Sequence, residues 1–94
     1  MIDLEIHHFM VELKEVEIGK VLNILENIGK HVEVSENIHV FTSNNLIVYL
    51  TIFSETVFLD ILAEDKEQGL RIVKNIVDET QMQKIMTHYV YRGF

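Results

Sequence analysis

An α+β two-layer sandwich, a mostly antiparallel sheet with two helices on one face, is the fold class predicted by this 94-residue sequence. Three observations predict it. Two segments carry apolar residues at helical spacing. Several others alternate with the period of a strand. The order along the chain is strand, helix, three or four strands, helix, strand. Each helix has one apolar stripe, so both are expected to cover the same face of the sheet. The whole chain, 1–94, reads as a single domain.

The chain is organised around Leu46–Leu62, LIVYLTIFSETVFLDIL, led by Ser43–Asn44–Asn45. Leu46–Phe53 and Thr56–Ala63 are rich in β-branched and aromatic residues and flank Ser54–Glu55, which predicts strand, tight turn and strand at the centre of the sheet. Upstream, from Asp3 to Leu13, Phe9, Val11 and Leu13 alternate with His8, Met10 and Glu12, a first strand. Ile18, Val21, Leu22, Leu25 and Ile28 predict a helix over about Val16–Ile28, with Gly29 placed for a left-handed C-cap.

His31–Ser43 alternates on both sides of Ser35–Glu36–Asn37, a short hairpin, and Asn44–Asn45 supplies the next turn because asparagine tolerates the left-handed conformation. Asp65, with Gln68 three residues on, caps a second helix whose buried face is Leu70, Val73, Ile76 and Val77. After Asp78–Glu79 and Met82 comes a last strand, Lys84–Arg92, in which Ile85, Thr87, Tyr89 and Tyr91 alternate with Met86, His88, Val90 and Arg92. The sheet face away from the helices then carries Val, Ile and Tyr positions that water should not see. A homodimer is its simplest cover.

Composition narrows the function. With 8 Lys and Arg against 15 Asp and Glu, the net charge of −7 repels phosphate backbones and anionic membranes, so neither nucleic acid nor a membrane is an expected partner. No segment is long and apolar enough to span a bilayer, and the acidic opening MIDLEIHH lacks a signal-peptide layout. A soluble, cytoplasmic protein is expected. The absence of cysteine removes disulfides, thiolate metal sites, thiol nucleophiles and a thiol proton donor. Of the five histidines, His31 and His39 lie on opposite arms of the hairpin. His7 and His8 point to opposite faces of one strand, and no helical HxxxH or HExxH pattern occurs, so no metal site is expected. Ser35, Ser43 and Ser54 lack a nucleophile elbow, and the isolated Gly19, Gly29, Gly69 and Gly93 form no phosphate loop.

Four stretches follow one another in a familiar order: His8–Phe9–Met10–Val11–Glu12, the acidic apolar helix EVEIGKVLNILENIG, the run TSNNLIVYLTIFSETVFLDIL, and the closing Arg92–Gly93. In this order and pattern, over nearly its whole length, the chain resembles the prokaryotic S-adenosylmethionine decarboxylases, the small pyruvoyl enzymes that make the aminopropyl donor for spermidine. In that family the corresponding stretches are a strand with a histidine before apolar residues, an acidic helix, a Glu-Ser-His motif leading through a strand and a Trp-Pro-Glu turn to a strand with an aspartate, and a final Arg-Gly. The segment between the first helix and the central run is shorter here than in the family, which implies a trimmed sheet edge.

The family's serine attacks the preceding carbonyl, the chain breaks, and the serine becomes a pyruvoyl group that holds the substrate amine as a Schiff base. A histidine assists processing and a cysteine returns a proton after carbon dioxide leaves. Aligned on Asp60, the resemblance sets Asn44 at the serine, with Ser43 one residue away, Tyr49 at the histidine and Glu64 at the cysteine. Aligned on Phe53–Ser54–Glu55, it sets Leu46 at the serine and Thr51 at the histidine. Neither alignment supplies the set, and no histidine lies between His39 and His88.

The resemblance therefore implies a catalytically inactive S-adenosylmethionine decarboxylase-like protein without a cofactor. It would act as a homodimer or as partner of an active paralogue, keeping a pocket for a small nucleoside ligand. The alternatives are an active pyruvoyl decarboxylase with Ser43 as precursor and Tyr49 or Glu64 as proton donor, and a regulatory module similar to ACT-type ferredoxin-like domains, binding a small ligand at a dimer interface.

Overall fold

In a computed structural model, residues 4–80 and 84–93 are described. The elements are β1 (Glu5–Lys14), α1 (Ile18–Glu26), β2 (Lys30–Ser35), β3 (Ile38–Ser43), β4 (Leu46–Phe53), β5 (Thr56–Ala63), α2 (Lys66–Thr80) and β6 (Lys84–Arg92). Asp3 and Met82, which the sequence places at the start of the first strand and before the last one, lie outside the described residues. The six strands form one sheet in the order β2-β3-β4-β5-β1-β6, and every neighbouring pair is antiparallel. The α+β class and the central place of β4 and β5 are as expected. Among the described residues, no helix is long and apolar enough to cross a membrane.

The period-two pattern sorts side chains between two faces. Phe9, Val11 and Leu13 of β1, Phe41 of β3, Leu46, Val48 and Leu50 of β4, and Val57, Leu59 and Ile61 of β5 are buried on one side. There they meet Val21 and Leu25 of α1 and Ile72, Val73 and Ile76 of α2 in a single core. The opposite side has no helix among the described residues. Its strand positions include Met10, Ile47, Tyr49, Phe58 and Tyr89, all exposed.

Local chemistry explains the joints. At the β4–β5 turn Ser54 takes φ 58°, and at the β3–β4 turn Asn45 takes φ 63°, left-handed backbone that helps a two-residue connection reverse the chain. Asp65 caps α2 by accepting a hydrogen bond from the Glu67 N–H at 3.0 Å on Oδ1, which satisfies one of the helix's unpaired donors.

The first helix departs from expectation. It stops at Glu26, and Asn27 closes it in a right-handed conformation, its N–H donating to the Ile24 carbonyl at 3.3 Å while the Ile28 N–H donates to that of Leu25 at 3.0 Å. Gly29 is thus no left-handed cap. It is needed because β3 passes so close that a Cβ at residue 29 would overlap the Thr42 carbonyl oxygen. Gly69 plays the same part in α2, where a Cβ would lie 2.5 Å from the Phe9 ring. Ile72, absent from the expected buried face of α2, is buried beside Val73 and Ile76.

Since the neighbour of Gly29 is backbone, which cannot step aside as a side chain can, Gly29→Ala is expected to cost about 1–3 kcal/mol of folding stability. Gly19→Ala, with open space around it and a helical backbone, is expected to be neutral or stabilising. Urea unfolding of the two variants checks the contrast.

Candidate functional site

Pairing of β3 with β4 brings Ser43 opposite Leu46, and pairing of β4 with β5 brings Leu46 opposite Ala63. The β3–β4 turn and the end of β5 therefore lie side by side, joined by a hydrogen bond from the Glu64 N–H to the Asn45 carbonyl at 3.3 Å. Beside them is a cavity of about 490 Å³. Ile6, Ile47 and Leu62 give it an apolar floor, and Ser43, Asn45, Glu64 and Tyr91 supply polar groups around it. A largely apolar hollow with a few convergent polar groups has the composition of a small-molecule site.

Tyr91 is held by a chain of side chains on the open face. Its hydroxyl is 2.9 Å from Nδ1 of His8, whose Nε2 is 2.8 Å from Oδ1 of Asp60. The Asp60 carboxylate only accepts, so Nε2 of His8 carries the proton toward it; in the neutral ring Nδ1 then accepts from the Tyr91 hydroxyl. The strands make this possible. Met10 is opposite Asp60 and Ile6 is opposite Tyr91, so His8, two residues from each on β1, has a diagonal neighbour on either side.

The remaining histidines form two pairs on the helix-facing side. His7 donates from Nε2 to Glu5 at 2.8 Å and places Nδ1 3.0 Å from Nε2 of His88, which stacks on Phe9 with ring centroids 4.3 Å apart. At the other edge of the sheet, Nε2 of His39 donates to the Glu36 carbonyl at 3.2 Å. Its Nδ1 therefore accepts, at 2.8 Å, from Nε2 of His31. His31 stacks on Phe41, and its Nδ1 lies 3.4 Å from Glu26. Among the described residues, no three His, Cys, Asp or Glu side chains are grouped as metal ligands.

Of the residues that the resemblance singles out, Ser43 and Glu64 both line this cavity. Asn44 is in the β3–β4 turn, and it is its neighbour Asn45 that lines the cavity. Tyr49 is not part of it; it faces outward at the middle of the open face, opposite Asp60. In the other alignment Leu46 borders the cavity, whereas Thr51 pairs with Phe58 farther along the hairpin. Sequence reading missed Tyr91 and the His8–Asp60 link. The one visible signal was an aspartate standing amid apolar residues in β5. The chain matches no protein-family model, and no curated protein matches it.

His88 has its pKa lowered from the ordinary 6.5, first by partial burial and then by the neighbouring His7 and Lys66. In the window just below 6.5 the unfolded chain therefore takes up this proton before the folded one does, so stability falls as pH drops through it and this contribution is flat above it. A proton NMR titration should place the His88 midpoint below 6.5, and His7→Gln should move it upward. Urea midpoints across the same window should show a smaller acid loss in His88→Gln than in the parent.

Proposed function

We propose that this chain is a catalytically silent protein of the S-adenosylmethionine decarboxylase type, which binds a small nucleoside-like ligand and does not turn it over. The observation that carries this reading is the cavity shared by Ser43 and Glu64. These are the positions that the resemblance sets beside the self-cleaving serine and at the proton donor. The cavity's apolar floor suits a planar ring, and an acidic residue in its lining, Glu64, suits a ligand edge that is cationic or rich in N–H donors.

The chemistry of decarboxylation is harder to supply. The chain has no cysteine. His8 is engaged by Asp60 and Tyr91, and the other four histidines are engaged with one another on the helix side. A pyruvoyl reaction needs both a group to assist chain cleavage and a donor to protonate the carbanion. Binding without turnover asks only for the cavity.

Two other readings each have one observation in their favour. Glu64 lines the same cavity as Ser43, which favours an active enzyme with Ser43 as precursor and Glu64 as proton donor. The place of β1 between β5 and β6, the strands that flank α2, is that of a split βαβ plan and favours an ACT-like regulatory module.

Intact-mass measurement of the purified chain is expected to give one species of 11.0 kDa, with no carbon dioxide released from S-adenosylmethionine. S-adenosylmethionine or adenosine is expected to raise the melting temperature, and Glu64→Gln to weaken binding by roughly 10-fold or more, the loss of a charge-assisted hydrogen bond. Two fragments parting before Ser43, with release of carbon dioxide, would replace this reading by the pyruvoyl enzyme. A melting shift with amino acids alone would replace it by the regulatory module.

A further inference from the structure

We infer that the facing ring nitrogens of His31 and His39, with the Glu33 carboxylate as third ligand, form a binding site for a divalent transition metal of the Zn²⁺ class at the β2–β3 edge of the sheet. The site is independent of the ligand-binding reading above.

Three contacts run in line through the two rings. Glu26 lies 3.4 Å from Nδ1 of His31, Nε2 of His31 lies 2.8 Å from Nδ1 of His39, and Nε2 of His39 lies 3.2 Å from the Glu36 carbonyl oxygen. The two outer partners can only accept, so each contact needs a hydrogen of its own, and two neutral imidazoles carry one N–H apiece. With one hydrogen on Nε2 of His39 and the other between the rings, Nδ1 of His31 turns a lone pair toward a carboxylate. A metal ion between the rings removes the conflict. Bound through Nε2, His31 carries its hydrogen on Nδ1 and donates it to Glu26. Nδ1 of His39 is the second ligand, and its Nε2–H stays on the Glu36 carbonyl. A carboxylate and a backbone carbonyl are the outer partners that metal-bound histidines ordinarily have.

The other histidine pair lacks this deficit. Glu5 with Nε2 of His7, and Nδ1 of His7 with Nε2 of His88, are two contacts for two hydrogens. Cations also stand beside that pair: Arg92 is bonded to Glu5 at 3.1 Å, and Lys66 acts on His88. Around His31 and His39 stand Glu26 and Glu33 instead. Lys30, next to His31, is paired with Thr42 on the other face of the sheet.

Two imidazoles alone are a weak site, and Glu33 completes it. It is paired with His39 across the strands and lies two residues from His31, so its exposed side chain shares a face with both rings. Two Zn–N bonds of about 2.0–2.1 Å at the tetrahedral angle set the nitrogens about 3.3 Å apart, so the rings must part by roughly half an ångström. β2 is an edge strand, and His31 is only half-buried, so it can make that movement. Imidazole nitrogen with a carboxylate oxygen suits Zn²⁺, and three protein ligands leave a fourth position for water.

Isothermal titration of the metal-stripped full chain with Zn²⁺ is expected to show one ion per chain, undisturbed by an excess of Mg²⁺, which asks for oxygen donors. His31→Gln and Glu33→Ala, both at positions outside the core, are each expected to weaken binding by about 10-fold or more with the circular dichroism spectrum intact. His7→Gln should leave it unchanged. Nitrogen-15 NMR of the rings is expected to show the metal on Nε2 of His31 and Nδ1 of His39, with hydrogens on the two other nitrogens.

Absence of both heat and ring-nitrogen shifts at about 100 μM Zn²⁺ overturns the site. So does binding that Mg²⁺ displaces, which would be loose attraction to the acidic surface, or binding that His7→Gln abolishes and His31→Gln does not. If Glu33→Ala binds as tightly as the parent while His31→Gln does not, the third ligand is wrong and the imidazole pair stands.

Discussion

Both helices lie on the same side of a six-stranded sheet, and most other features of the molecule follow from that placement. One side of β1, β4 and β5 must be apolar to receive them, and the side-chain period of two then fixes what the other side presents. A slip of one residue in β1 would turn Phe9, Val11 and Leu13 outward and bring His8, Met10 and Glu12 into the core. The register is held by this alternation, and by glycines at 29 and 69 where backbone and ring come too close for a side chain. The open face is thus the complement of the core, written into the same strands.

Histidine shows how the two faces use one residue type differently. On the helix side, His7 with His88 and His31 with His39 lie on outer strands of the sheet, where apolar cover thins, and each pair leans on an aromatic ring and a carboxylate. These contacts let a polar group sit half in the core without an unpaired nitrogen facing hydrocarbon. On the open face His8 has Asp60 on one side and Tyr91 on the other, so its place within the sheet decides where a phenol at the cavity points. The first arrangement supports the fold. The second positions a group that a ligand would touch.

Local features were the most legible in the sequence. Asn44–Asn45 and Ser54–Glu55 read as turns because polar residues interrupt long β-branched runs, and the structure turns there, although a left-handed Ser54 carries no signal of its own. The strands of the central hairpin and the last strand have the expected limits, since their alternation is unbroken on both sides. The end of α1 was read for the wrong reason: Gly29 suggested a cap, but what demands glycine is the Thr42 carbonyl of a strand that no local pattern could place beside it. The site suffered in the same way. Ser43 and Glu64 could be named from the order of motifs. The contribution of Tyr91 depends on β1 lying between β5 and β6, a pairing across most of the chain that periodicity does not encode.

That insertion of β1 also bears on how the chain reaches its structure. Strands β2 to β5 form a meander of neighbours joined by two-residue turns, so each closes a short loop and can form early. His8 and Tyr91, by contrast, are separated by 83 positions, and β1 finds one partner only after β5 exists and the other only after α2 has been passed. By loop closure alone, the meander costs least to form and the seating of β1 costs most. Until it happens, the edge of β5 that will receive β1 is unpaired, beside an apolar face that is also bare. Any state in which β1 has not docked would therefore expose both to misassociation.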